Sequence, residues 1–334
     1  MNKPDISVLF WQTVKEQRNF SFIKNKKNAV MHIAYGLDNN AARMAGASIA
    51  SVCKNNNGAN MVFSLLCADI SEENIDKFGI LAQRFDIDIN IYFLDMATTL
   101  LKNLATDAIF PLPIWFRIFL PYIFGKGRIL YLDTDVICVG EIAELFTLDM
   151  HKAIVGVIPD FEPVRLKRTQ ELKLKDHLYF NSGVMLIDAE KWLGNRITEL
   201  LLQVINEHKK LLDQDILNLV FSKKTHFYLD EIYNSIGLWC EPDNIIKDRL
   251  PQIKLIHFAN HPKPWNVLWQ YEKRPYMENI YKDYEKLSPW KGTPLEMPRI
   301  YHHKRWYAEI LRNDGKLKEA LYWYWQYIRG KYNF

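Results

Sequence analysis

Cysteine is scarce in this chain. Cys53, Cys67, Cys138 and Cys240 are scattered over 334 residues with no C-x-x-C pair. Three of them sit inside apolar or helical patterns, so they read as reduced, buried small hydrophobes in a reducing compartment. A long uninterrupted apolar run is also missing. The best candidate, AIFPLPIWFRIFLPYIF over 108–124, carries Pro111, Pro113, Arg117 and Pro121. Prolines remove helix hydrogen bonds and a mid-span arginine is costly in lipid, which excludes a transmembrane helix there. Residues 1–28 have no apolar core of the secretory kind, so they read as a leader segment and the expected location is the cytoplasm. Two phosphate-binding loops are absent as well. GKGR at Gly125 is not a P-loop, and no G-x-G-x-x-G follows the first predicted strand. Any phosphate handling must therefore rest on a metal and basic side chains. No internal repeat occurs.

What is present is an ordinary globular composition, 49% hydrophobic and 25% charged with a net charge of +4. This length can bury one large core plus an appendage. From about Val30 strands and helices alternate. MHIAYGL, MVFSLLCAD, DINIYFLD, RILYLDTDV, KAIVGVIPD and YFNSGVMLIDA read as strands. AARMAGASIASVCKN reads as a helix, Ser71 caps another that runs to about Phe85, and AEKWLGNRITELLLQVINEHKK reads as one long amphipathic helix. Such alternation predicts an α/β sheet, largely parallel and covered on both faces. Ligands of such sheets bind beyond the carboxyl ends of strands. After His257–Lys273 two short helical patterns follow, near 300–312 and 316–329.

Three D-x-D pairs occur: Asp86/Asp88, Asp133/Asp135 and Asp213/Asp215. Only Asp133 and Asp135 lie at the carboxyl end of a predicted strand, with ILYL before them and VICV after. Two such carboxylates can converge on one hard cation, which keeps open positions for substrate phosphates. In IKLIHFANHPKPW, His257 can serve as a third ligand and Lys263 as a phosphate partner, with a core histidine at a strand end and a solvated lysine as the plain alternatives. Asn181, Ser182 and Gly183 interrupt an apolar strand, a pattern of close backbone approach. Asp213, Gln214 and Asp215 open a helix, where capping by Asp213 is the plain alternative. Arg117 lies within an apolar helix and needs a buried carboxylate partner.

Taken in order, AYGLDNNA, Phe116-Arg117, ILYLDTDV, YFNSGVMLID, DQDILN and IHFANHPKPW resemble glycosyltransferase family 8 over roughly residues 30–270. SPWKGTPL and the aromatic, basic tail resemble the branch that builds bacterial lipopolysaccharide cores. The resemblance implies a GT-A, Rossmann-like α/β catalytic domain over 29–270 and a helical C-terminal region over 271–334. It implies transfer of glucose or galactose from a UDP-sugar to the lipopolysaccharide core with retained α configuration. Asp133, Asp135 and His257 would hold Mn²⁺ or Mg²⁺. Gly36, Asp38 and Asn40 would hold the uridine, and Lys263 the diphosphate. Thr134, Arg117, Asn181, Ser182, Asp213 and Gln214 would complete the donor site, with Gln214, Asp213 and Asp215 nearest the reacting face. Two positions depart from the pattern. The base-stacking aromatic expected after Asn40 is Ala41, which leaves Tyr35 as the candidate or makes stacking weaker. The glycine expected in the lysine turn is replaced by Ala259-Asn260, and Asn tolerates positive φ. Retention can proceed through a carboxylate nucleophile or by front-face attack. Gln214 is a poor nucleophile, which favours the second.

Residues 301–334 hold seven Lys/Arg and three acids, an excess equal to that of the whole chain. LYWYWQYIRGKYNF is dense in Tyr and Trp, residues of membrane interfaces. Basic neighbours attract anionic head groups, so the tail predicts a peripheral place on the inner membrane's cytoplasmic face. Packing of a helical hairpin on the catalytic domain accounts for the same aromatics, and a hairpin can do both. Nucleic acid is not expected as a partner, since no recognition motif accompanies the charge. A family 8 enzyme for another glycan or protein acceptor, and a non-catalytic sugar-binding relative, are the competing functions.

Overall fold

The computed structural model describes residues 5–24, 30–102, 104–107, 110–174, 178–221, 225–272 and 274–332. Eleven strands run in chain order among them. They are β1 (Val14–Ser21), β2 (Val30–Leu37), β3 (Asn60–Cys67), β4 (Asp88–Leu94), β5 (Arg128–Leu132) and β6 (Val136–Cys138), then β7 (Val155–Pro159), β8 (Phe180–Asp188), β9 (His226–Tyr228), β10 (Ser235–Ile236) and β11 (Leu255–His257). Eight of them form one sheet in the order β1-β4-β3-β2-β5-β8-β7-β9. The block β4-β3-β2-β5 is parallel, as expected of strands joined through covering helices. β8 is antiparallel to both β5 and β7, and β1 to β4, so the sheet is mixed. β10, β11 and β6 make a second, small sheet.

Strand alternation divides the core between the two faces of the large sheet. Ile33, Tyr35 and Leu37 of β2 pack beneath the helices Ala42–Asn55 and Glu72–Phe85. Ala34 faces the other way, towards Trp115, Phe116 and Phe119, with Trp192, Leu201 and Phe221 completing that side. The helix Glu72–Phe85 begins as expected, with the Ser71 hydroxyl accepting from the Asn74 N–H. Asp86 and Asp88 are structural. Asp86 ends that helix at φ 52° and pairs with Lys24, while Asp88 accepts from the N–H groups of Phe22 and Ile23.

Two expectations are corrected. The single long helix after β8 is two, Ala189–Gly194 and Ile197–Glu207. Gly194 and Asn195 are weak helix formers, and Arg196 turns the chain at φ 52°. The N-terminal segment is not all apart from the sheet, because Val14–Ser21 pairs along β4. That strand is mostly exposed and carries Lys15, Glu16 and Arg18, which suits an edge position.

The C-terminal region folds back onto the catalytic core. Trp290 packs against Gly46 so closely that a Cβ there would lie 2.3 Å from the indole. Buried Arg43 pairs with Glu285 and donates to the carbonyls of Pro294 (2.8 Å) and Thr293 (3.1 Å). The chain ends in a hairpin of helices Tyr301–Asn313 and Leu317–Tyr332, joined by Leu311, Ala320 and a Tyr307–Trp323 edge contact. Its outer side is an open stripe: Leu317, Leu321, Trp325, Ile328 and Tyr332, spaced three or four residues apart, are all exposed. No described helix is long and apolar enough to cross a membrane.

Candidate functional site

The D-T-D segment is the bridge between the two sheets. Leu132 ends β5 in the large sheet and Val136 begins β6 in the small one. Val136 pairs with His257 at the end of β11, and the Phe258 N–H donates to the Asp135 carbonyl. The two registers therefore bring Asp133, Asp135 and His257 together. One ligand atom from each lies within 4.8 Å of the others. β8 closes the site from beneath, where the Asp133 N–H donates to the Gly183 carbonyl at 2.7 Å. Gly183 is required by space: a Cβ would come within 2.3 Å of the His257 ring and 2.7 Å of Asp133 Oδ2. This hard-oxygen and imidazole set fits a divalent cation.

Each member is held by a neighbour. His257 Nδ1 bonds Asn234 Oδ1 at 2.9 Å, and Asn234 in turn donates to Asn181 Oδ1. Asp133 Oδ1 accepts from Arg117 Nη2 (2.9 Å) and the Tyr131 hydroxyl (2.7 Å). Asp135 Oδ2 accepts from Lys263 Nζ at 2.5 Å, and its Oδ1 lies 3.2 Å from His257 Nε2. Burial pushes the Asp135 carboxyl up, but Lys263 and His257 outweigh that and hold it well below the usual carboxylate range.

Arg117 has the buried partners its position demanded. Beyond Asp133 it faces Asp213 Oδ2 at 3.3 Å, donates to the Ile114 and Ser182 carbonyls, and lies over the Tyr131 ring. Burial pushes the Asp213 carboxyl up to about 6, with Arg117 opposing and Asp133 adding to the rise. Gln214 is fixed at both ends of its amide. Its Oε1 accepts from the Ser182 N–H at 3.0 Å, and its Nε2 donates to Asp160 Oδ2 at 2.7 Å. Asp215 pairs with Arg168 and accepts from the Tyr179 hydroxyl at 2.7 Å.

Above these groups opens a cleft of about 540 Å³. Gly36, Asp38, Asn40, Asp133, Thr134, Asp135 and Lys263 line it. Asn181, Ser182, Asp213 and Gln214 stand behind Arg117 and Asp133, tied in by the hydrogen bonds above. Asn260 adopts φ 73°, so asparagine does supply the positive φ of the lysine turn. Tyr35 is overturned as a stacking group. It is fully buried and bonds Ser48 Oγ at 2.9 Å, because β2 turns position 36 to the cleft and position 35 to the opposite face. Phe110, 45% exposed, is an aromatic ring on the cleft wall.

Several partners escaped the sequence reading: Asn234, Asp160, Tyr179, Arg168 and the segment Glu296–Ile300 with His303. That segment forms one wall of the cleft, and the Glu296 N–H donates to the Trp265 carbonyl at 2.8 Å. His261, beside His303, is pushed down to about 4 by burial and by the neighbouring Lys263 and His303.

The comparisons agree on one family. The model of Glycosyl transferase family 8 matches residues 32–268. A lipopolysaccharide 1,2-glucosyltransferase of Escherichia coli is 30% identical over 306 residues, covering 86% of this chain and 88% of its own. A lipopolysaccharide 1,3-galactosyltransferase of Salmonella typhimurium is 25% identical, covering 96% of this chain and 97% of its own. The crystal structure of the galactosyltransferase LgtC superposes with a TM-score of 0.63 at 22% identity, over 76% of this chain and 96% of that one. The fold is therefore that of the GT-A enzymes, and the chain belongs to glycosyltransferase family 8.

Proposed function

We propose that this chain transfers glucose or galactose from a UDP-sugar to the core oligosaccharide of lipopolysaccharide, with retained α configuration and with a divalent cation, Mn²⁺ or Mg²⁺. The observation that carries the reading is the convergence of Asp133, Asp135 and His257 within 4.8 Å, with the two aspartates lining the cleft. The names of the Escherichia coli and Salmonella relatives support the acceptor.

Gly36, Asp38 and Asn40 line the part of the cleft assigned to the uridine, and Phe110 offers a surface for its base. Asp133, Asp135 and His257 would hold the cation, with Thr134 between the two acids. Bound there, the cation neutralises charge on the departing diphosphate. Lys263 is the basic side chain placed to share that task. Arg117, Asn181 and Ser182 orient the sugar, with Asp213, Gln214 and Asp215 at the reacting face. The fixed amide of Gln214 is a poor nucleophile, which supports front-face attack. The acceptor oxygen bonds the anomeric carbon as the bond to the phosphate oxygen breaks, and that oxygen takes the acceptor proton. Catalysis then rests on positioning and on relief of leaving-group charge. The exposed stripe of the terminal hairpin, flanked by Lys318, Arg329 and Lys331, supports docking on an anionic membrane face.

The test is turnover of UDP-glucose and UDP-galactose on truncated lipopolysaccharide cores, with Mn²⁺ or EDTA, beside Asp135→Ala. One donor should turn over with metal and stop with EDTA or in the variant. Binding of neither donor would overturn the UDP-hexose assignment. Turnover that EDTA leaves unchanged would remove the metal.

A further inference from the structure

Lys263 occupies an unusual place for a phosphate-binding side chain. Its ammonium is not held out in the cleft. It sits on Asp135 Oδ2 at 2.5 Å and also donates to the Phe258 carbonyl, in a position where the residue is 8% exposed. A buried ammonium needs such partners, because leaving it unpaired is costly. The other carboxylate of the pair, Asp133, is matched by Arg117. The two ligand acids are thus each paired with a side-chain cation. Adding a divalent cation to this arrangement sets it against the Lys263 charge at close range.

Arg117 and Lys263 differ in how they are held. Arg117 is fixed by two carbonyls, two carboxylates and an aromatic ring, and is wholly buried among them. Lys263 belongs to a turn whose backbone is anchored, with its N–H donating to Asn266 Oδ1 at 3.1 Å, while its head is carried on a flexible four-carbon stem. Both Lys263 and Asp135 line the cleft.

We infer that Lys263 is a coupling residue: its ammonium competes with the metal for Asp135, and a nucleoside diphosphate in the cleft draws it away, so that cation and diphosphate bind cooperatively. This rests on the metal-dependent reading above and deepens it. Metal alone meets the lysine on its ligand. Metal together with diphosphate meets a free carboxylate and a lysine bound to phosphate oxygens. By linkage, each ligand tightens the other by the same factor, and couplings of this kind are typically about 5- to 150-fold. Removing the ammonium should then have opposite effects on the two ligands. A lysine that only contacted phosphate would weaken the diphosphate and leave the metal alone unchanged.

The experiment titrates Mn²⁺ alone, and Mn²⁺ with saturating UDP, into the full chain, reading free Mn²⁺ by electron paramagnetic resonance. Wild type, Lys263→Met and Asp135→Ala are compared, with thermal melts as a fold check. The expected result is that Lys263→Met binds Mn²⁺ alone about 5-fold tighter or more, and that the tightening caused by UDP shrinks by a similar factor. A Lys263→Met protein that binds Mn²⁺ alone no tighter than wild type overturns the inference. Wild type that binds Mn²⁺ equally with and without UDP overturns it too, and this arm does not depend on the variant folding. If wild type and Asp135→Ala are alike and neither binds Mn²⁺ in either condition, the metal reading itself fails and the coupling falls with it.

Discussion

Asn234 and His257 are hydrogen-bonded at 2.9 Å, between the amide oxygen of one and Nδ1 of the other. The amide oxygen can only accept, so Nδ1 donates, and the ring is turned with Nε2 towards the two aspartates. Asn234 is held in turn by Asn181, so the orientation is set two residues deep.

Loss of that orientation has a measurable cost. Asn234→Ala should lower Mn²⁺ affinity about 10- to 100-fold, the usual effect of removing such a support, while the protein still folds. Isothermal titration of Mn²⁺ in the presence of UDP checks this. Unchanged affinity would show that packing alone positions His257.

Gly183→Ala should damage the same centre by crowding. The new methyl would press on His257 and Asp133 together. Overpacking of this kind costs about 1–3 kcal/mol, and both ligands must move to relieve it. Metal affinity and transfer rate should fall together. Gly194→Ala is the control, since a Cβ there meets nothing within 4 Å. Equal behaviour of the two variants would sink the steric account.

Asp213 gives a pH dependence with a definite sign. Its carboxyl is raised to about 6 in the folded protein, mainly by burial, and its Oδ2 has no hydrogen-bond partner. The folded state therefore binds this proton more tightly than the unfolded state, whose ordinary value is about 3.9. The stabilisation is full below about pH 4 and is lost as pH rises through about 6. Against Asp213→Asn in EDTA, the relative stability of wild type should fall across that window by up to about 3 kcal/mol. Urea unfolding at pH 4, 5, 6 and 7 measures it, and a flat difference would contradict the assignment.

The hairpin stripe can be tested without removing the tail. Leu321→Glu with Trp325→Glu places charge at its most open position and at an exposed aromatic one turn further on. Binding to anionic vesicles should drop at least about tenfold, given the apolar area withdrawn. Donor hydrolysis in solution should not change. Co-sedimentation with phosphatidylglycerol vesicles separates the two proteins, and equal pelleting would assign the stripe elsewhere.

Much of this was legible before the structure. The β/α alternation located β2 to β5 and their helices because buried strands and amphipathic helices leave strong periodic signals. Asp133 and Asp135 stood out because strand ends carry ligands in such sheets. Edge strand β1 was not legible: its VKEQRNFS sequence is polar and mostly exposed, and only pairing with β4 makes it a strand. The helix break at Arg196 was hidden by apolar spacing that continues across it. Asn234, Asp160 and Arg168 leave no local mark, since their meaning comes from residues 23 to 54 positions away. Tyr35 could have been excluded from the sequence. If Gly36 faces the cleft, alternation sends its neighbour to the core.

The wall formed by Glu296–Ile300 and His303 lies outside the stretch that defines the family, yet it encloses the cleft. The segment is anchored to Trp265 at one end and runs straight into the terminal hairpin at the other. Trimming the aromatic tail to ease purification, with a cut placed before residue 296, would strip one side from the pocket as well as the surface stripe. An inactive truncated protein would then say nothing about membranes. Substitutions after residue 290 can, for the same reason, reshape the cleft without altering Asp133, Asp135 or His257.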